Sequence, residues 1–251
     1  MNCGPLVSML VLASLWPAMG LAQSYPAKPV HVTVSFTAGS ATDILARTYG
    51  EKLSQLWGQP VVVESRPGAG GSIGAGVVAK SPADGYTPLV NSAAQAYNPS
   101  IYSNLPFDTV KDFVDIAALG GQPNVLVVAP SAGVKSVAEL IALAKEKAGQ
   151  LNFGSAGTGS GTRINGEKFK LAAGIDVVHI PYKGTPEALT DTIAGRVTHF
   201  FSPISAALPF VRDGKLVALA VSTAKRSSAL PNVPTVAESA KVIKAAGIKT
   251  Q

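Results

Sequence analysis

The sequence predicts an α/β protein of two lobes. Strand-like and helix-like segments alternate along most of the chain, and they do so in two runs, each with a glycine-rich loop at the carboxyl end of a strand. Composition agrees: of 251 residues 47% are apolar and 14% charged, enough to fill cores and too little charge for a disordered chain.

Residues 1–22 stand apart. They carry no charged side chain, contain the apolar run 6–15 and place Gly20 and Ala22 near a cleavage point, the pattern of a secretory signal peptide cut before Gln23. That run is too short to span a bilayer as a mature helix. The one cysteine, Cys3, falls inside residues 1–22, so no disulfide or thiol chemistry is expected of the remainder. The net charge of +6 is spread over single Lys and Arg residues, a mild attraction for anions. No basic stripe interleaves with aromatics, which make up 6% of the chain, so nucleic acid is not an expected partner.

The first strand is 30–36, a continuous apolar run suited to burial on both faces. Ser40 caps the helix that follows, with Asp43 in its first turn. Ile44, Leu45, Thr48, Tyr49, Leu53 and Leu56 mark one face, and Gly58 ends it. A second strand at 61–64 leads to the glycine-rich turn of 66–80, which runs into a helix, and the turn 82–85 precedes a strand at 87–91. These alternations indicate parallel βαβ units. The next strand is 124–129, and Ser136 with Glu139 forms a capping box for a helix ending at Gly149. Alternation then restarts with strands at 152–155, 177–180, 197–201 and 217–222 and helices at 164–172, 186–194 and 206–213.

The loop 154–163, GSAGTGSGTR, joins a strand to a helix N-terminus, and 36–43, FTAGSATD, is a similar junction. Free first-turn amides, the helix dipole and glycine's close approach make such junctions anion cradles. Enzyme motifs fit less well. The loop 154–162 lacks a P-loop lysine, and 68–73 has Ile73 where a dinucleotide fingerprint needs a small residue. The stretch 70–74 does match G-x-S-x-G, so a secreted serine hydrolase using Ser72 stands as an alternative, although three residues separate this turn from its strand. His31, His179 and His199 each lie inside a strand with no ligand-spaced partner, and no metal site is expected. Asp43 suits a first-turn carboxylate or a loop-fixing group. Arg163 opposes the dipole of its helix, which favours a task in the cleft, such as gripping a carboxylate bidentately.

The motifs FTAGSATDILAR, QPVVVESRPGAGGSIGAGVVAKSPADGYT, LPFDTVKDF, PNVLVV, GSAGTGSGT, VHIPYKG and ALAVSTAKRSSALPNVPTVAE occur in order over about 25–238. Together the chain resembles the Bug-type, or tripartite tricarboxylate transporter, substrate-binding receptors. The resemblance implies a periplasmic, two-lobed binding protein of type II, with lobe 1 from 23–123 plus 224–251 and lobe 2 from 124–223. It implies binding of a small carboxylate, a dicarboxylate or an aromatic acid, without catalysis or cofactor. A membrane transporter or sensor is the expected partner, and the receptor itself is expected to be a monomer. Carried over residue by residue, the ligand would meet Phe36, Thr37, Ala38, Gly39, Ser40, Thr42 and Asp43 from the first loop and Ser155, Ala156, Gly157, Thr158, Gly159, Ser160 and Arg163 from the second. Ser92, Ala93 and Ser202 complete the implied set. Arg163 stands where many members have histidine, and Ser202 and Pro203 where they have Asp-Asn, which hints at a more anionic ligand. Members also continue for several tens of residues where Ala240 here runs directly into Lys241. That implies an internal deletion which leaves the C-terminal part of lobe 1 incomplete, exposes apolar surface and keeps open a non-functional remnant.

Overall fold

A computed structural model describes residues 25–245; the expected signal peptide 1–22, with Cys3, lies outside the described residues. Two sheets organise the chain. The first is built from β1 (Val30–Val34), β2 (Val61–Ser65) and β3 (Leu89–Val90), in the order β2-β1-β3 and wholly parallel. Between its strands run α1 (Ala41–Trp57) and α2 (Ser72–Ala79), and α3 (Ala94–Ile101) follows.

The second sheet contains β4 (Asn124–Val128), β5 (Asn152–Ser155), β6 (Val178–Pro181), β7 (His199–Pro203) and β8 (Val217–Val221), in the order β6-β5-β7-β4-β8. Its helices are α4 (Val137–Glu146), α5 (Gly161–Ala173), α6 (Thr185–Ile193) and α7 (Ile204–Arg212). β5 pairs in parallel with β6 and β7, whereas β4 runs antiparallel to both β7 and β8, a reversal that strand-helix alternation does not reveal.

The unbroken apolar runs follow from burial on both faces. Along β4, Leu126 and Val128 join a core with Leu140, Phe153, Phe169 and Phe201 under α4 and α5, while Val125 and Val127 join Leu189, Phe200 and Ala207 under α6 and α7. The capping box at the start of α4 is present: Ser136 Oγ accepts from the Glu139 amide at 3.2 Å, and Glu139 accepts from the Lys135 amide at 2.7 Å. Ser136→Ala is expected to cost about 1 kcal/mol, readable as a lowered denaturant midpoint at unchanged slope.

The first lobe is thinner. Its core is Val30, Val32, Val34 and Ala46, joined by partly buried Trp57, Val61, Val63, Tyr86 and Val90. α1 is capped at Ser40 and ends at Gly58, whose φ of 66° is the left-handed conformation of a helix C-cap. Its inward face differs from the apolar stripe. Thr42, Asp43, Ala46 and Gly50 are buried, and Ile44, Tyr49 and Leu56 are exposed. The physical reason is close approach: a methyl group at Gly50 would already touch Val61 at 3.2 Å, so the helix lies against β2 on its small residues.

Three strands in the first sheet against five in the second agree with an incomplete lobe 1. β3 is two residues long, and beside it opens a cavity of about 520 Å³ lined in part by Leu89, Phe113, Val114 and Ile116. Val114 and Ile116 are 89% and 85% exposed. The last helix, α8 (Val236–Ala245), runs through the Ala240–Lys241 junction without a break. Upstream of it, Leu230 and Val233 pack on the α6/α7 side of the second sheet, and Val236 on the α4/α5 side.

Candidate functional site

The two loops singled out in the sequence are built alike. In the first, the Ser40 amide donates to the Thr37 carbonyl at 3.0 Å, Ser40 Oγ accepts from the Asp43 amide, and it shares a hydrogen bond with Thr42 Oγ1 at 3.0 Å. In the second, the Ser160 amide donates to the Gly157 carbonyl at 3.0 Å, Ser160 Oγ accepts from the Arg163 amide, and it shares a hydrogen bond with Thr162 Oγ1 at 2.8 Å. The frame Gly-Ser-x-Thr occupies 39–42 and 159–162, so each lobe carries one copy of the same serine-capped helix start. The amides of Ala41, Thr42, Gly161 and Thr162 stand in the first turns and are the donors such a start offers to an anion.

The charged residue three places after each cap braces its own loop, with opposite polarity. Asp43 accepts from the Gly39 amide at 2.9 Å, from Arg47 Nε at 3.0 Å and from the Ser65 hydroxyl at 3.3 Å. Burial pushes its carboxyl upward, but the bonds from Arg47, Gly39 and Ser65 prevail and hold it below the usual carboxylate value. Arg163 instead donates from Nη1 to the Thr158 carbonyl at 3.2 Å and from Nε to Glu167 at 3.4 Å. Ser155, fully buried at the end of β5, accepts from the Gly157 amide at 3.1 Å and lies 2.7 Å from His179 Nε2. Burial first, and then the charge of Arg163, lower the His179 pKa to about 4, so the imidazole is neutral at pH 7.

The fold brings these stretches together. Phe36 from the first loop, Ala94 from the start of α3 and Ala156 from the second loop form one buried apolar cluster. Thr37 Oγ1 donates to Glu187 at the start of α6 across the cleft at 3.2 Å. Gly39 faces Pro186 and Gly184 faces Thr37. Ala93 caps α3, and Ser92 Oγ accepts from the Ala94 amide at 3.2 Å. Ser202 is fully buried near the carboxyl end of β7, its hydroxyl bonded to the Pro203 carbonyl at 3.1 Å. Ala38 is the exposed tip of the first loop.

The sequence reading assigns no helix between 91 and 124 and so misses α3, which contains Pro99, and with it Asn98 and Tyr102. The Asn98 side chain donates to the Gly70 carbonyl at 3.1 Å, and the Tyr102 ring lies 3.2 Å from where a methyl on Gly159 of the opposite lobe would sit. The repeated Gly-Ser-x-Thr frame is the signal that marks the two loops as alike. Ser72, the candidate nucleophile, opens α2 with its hydroxyl bonded to the Ala69 carbonyl at 2.8 Å. Among the described residues there is no cluster of His, Cys, Asp or Glu able to hold a metal ion, and no helix long and apolar enough to cross a membrane.

The comparisons with known proteins are consistent with one another. Solved structures similar to this chain include the periplasmic binding protein BugD, at TM-score 0.80 and 32% identity over 86% of this chain. An R. palustris protein solved with adipate reaches TM-score 0.83 at 37% identity, covering 86% of this chain and 72% of that one. MatC from Rhodopseudomonas palustris, with bound malate, reaches 0.79 at 29% identity, covering 86% and 74%. BugD is a periplasmic binding protein and the matching family one of transporter receptors, not enzymes, which overturns the serine-hydrolase reading of Ser72. BugT of Bordetella pertussis is 39% identical over 219 residues, covering 86% of this chain and 67% of BugT. A protein from the tcbD-tcbE intergenic region of Pseudomonas sp. is 35% identical over 217 residues, covering 86% of this chain and 65% of its own length. The chain thus spans about two thirds of the length of these curated relatives. Residues 45–248 match the family model described as tripartite tricarboxylate transporter family receptor, and the chain belongs to that family.

Proposed function

We propose that this protein is a periplasmic solute-binding receptor that closes its two lobes on a small dicarboxylate and presents it to a membrane transporter. The observation that carries the reading is the meeting of Phe36, Ala94 and Ala156, which sets the two serine-capped helix starts beside one another with their first-turn amides available. Adipate and malate in two structural neighbours support a diacid as the ligand class. One carboxylate would lie between 37–43 and 155–162, with Arg163 favouring the more anionic acids. Ser92, Ala93 and Ser202 would border the rest of the ligand. Each charge-assisted hydrogen bond contributes about 1.5–3 kcal/mol, so a few suffice for micromolar binding after ordering costs.

The lobes are proposed to divide at 123 and 223, where the Ser222 amide donates to the Asn124 carbonyl at 2.8 Å and Ser222 Oγ accepts from the Asn124 amide at 3.0 Å, although Leu230, Val233 and Val236 pack back on the second sheet. Calorimetry of the secreted form against malate, adipate, monocarboxylates and benzoate is expected to show micromolar binding of at least one diacid. A folded sample that binds none of them sinks the reading. The open edge of β3 favours a second reading, a remnant whose first lobe does not hold its loop. A single cooperative melt shifted upward by a diacid would rule that out.

A further inference from the structure

The lobes meet at a second place, at the glycine just before the second serine cap. Gly70, in the turn before α2, has a φ of 59°, and a methyl added there would sit 2.5 Å from the Gly159 Cα and nitrogen of the other lobe. Asn98 is fully buried, and its Nδ2 holds the Gly70 carbonyl. Its Oδ1 has no hydrogen-bond partner among the described residues and points at Gly159, where an added methyl would overlap it. The Tyr102 ring closes the same spot at 3.2 Å from that methyl position. Backbone therefore lies directly on backbone across the cleft, and no side chain of Gly70 or Gly159 separates the lobes.

We propose that Asn98, with Gly70, is the stop against which Gly159 seats, and that this contact sets the closed width of the cleft and so the length of diacid it accepts. A packed contact of this kind is not elastic. Material added at Gly159 meets the Asn98 side chain, which full burial and its bond to the Gly70 carbonyl hold in place, so the lobe is displaced as a body. Gly159 carries no positive φ, so a methyl there strains no backbone and acts on the spacing alone. The width would act on a short diacid first, because its two carboxylates must be reached from both lobes at once. This inference rests on the diacid-receptor reading for its ligand, though not for its geometry.

The test uses Gly159→Ala, Asn98→Ala and the double variant in a Cys3→Ser background. Spin labels at Leu56→Cys and Leu171→Cys, which are 78% and 77% exposed on α1 and α5, report the distance between lobes. Gly159→Ala is expected to lengthen the shortest interlobe distance and to weaken malate about tenfold more than adipate. Adding Asn98→Ala removes the obstructing amide and should restore both the distance and malate binding. Equal losses for both acids, an unchanged distance, or no rescue by Asn98→Ala would overturn the stop. If the parent protein binds neither acid, the diacid reading fails, and the stop is then judged by the distance and its rescue alone.

Discussion

Lowering the pH from 7 towards 4 is expected to destabilise the second lobe by several kcal/mol, with two histidines responsible. His199 lies in the middle of that lobe, stacked on Phe153 and edged by Phe169, and neither ring nitrogen finds a partner among the described residues. Full burial lowers its pKa to about 4 from the ordinary 6.5. His179, half-buried beside Ser155 and stacked on Phe153, is also lowered to about 4, by burial and then by Arg163, against which Glu167 acts weakly. The sign follows from where the protons bind. Below pH 6.5 the unfolded chain protonates both rings while the folded chain keeps them neutral until about pH 4, so acid favours the unfolded state across that window. At about 1.4 kcal/mol per pH unit the loss approaches 3 kcal/mol for His199 and is smaller for the partly solvated His179. His199→Leu should remove the larger part of this acid limb and add about 1 kcal/mol at pH 7 by deleting an unpaired polar group. Urea unfolding of the two proteins at pH 7, 6, 5 and 4.5 decides it, and parallel pH profiles for parent and variant would defeat the account.

Both histidines were visible in the sequence as strand residues without ligand partners, and their structural role agrees. Period and caps carried most of what could be read. Ser40, Gly58 and Ser136 bound their helices where local hydrogen bonding requires it, and β5 falls at 152–155 as expected. What failed was decided by tertiary contact. The α1 stripe at Ile44, Tyr49 and Leu56 is real as a pattern, but helix depth is set by the smallest residues, and Gly50 and Ala46 win the sheet. The antiparallel direction of β4 is a matter of topology, since a crossing strand buried on both faces has the same apolar run in either direction. The candidate site was read as two loops because glycine, serine and threonine have local reasons to be there. The stop at Asn98 was not, since an asparagine beside a proline reads as a turn until the opposite lobe is in view.

Asp43→Ala is expected to cost about 2–3 kcal/mol of stability and, with it, measurable diacid binding. Three residues donate to this carboxylate. Without it the Gly39 amide and the Ser65 hydroxyl lose their acceptor, and Arg47 loses the partner it approaches at 3.0 Å. The Arg47 side chain is 53% exposed and can turn to water, which keeps the cost below that of a fully buried pair. Because the first lobe has a core of four buried apolar side chains, a loss of this size is a large part of what holds it together. The loop 36–43 should therefore loosen before the second lobe responds. Amide exchange distinguishes this from general unfolding: protection should fall at 39–44 and along β1 while the amides of β4 and β7 keep theirs. Asp43→Asn, which keeps an acceptor for Gly39 but not the charge for Arg47, should recover about half of the stability. If both variants bind diacids like the parent, Asp43 does not brace the first loop, and the two serine-capped helix starts do not depend on the charged residues that follow them.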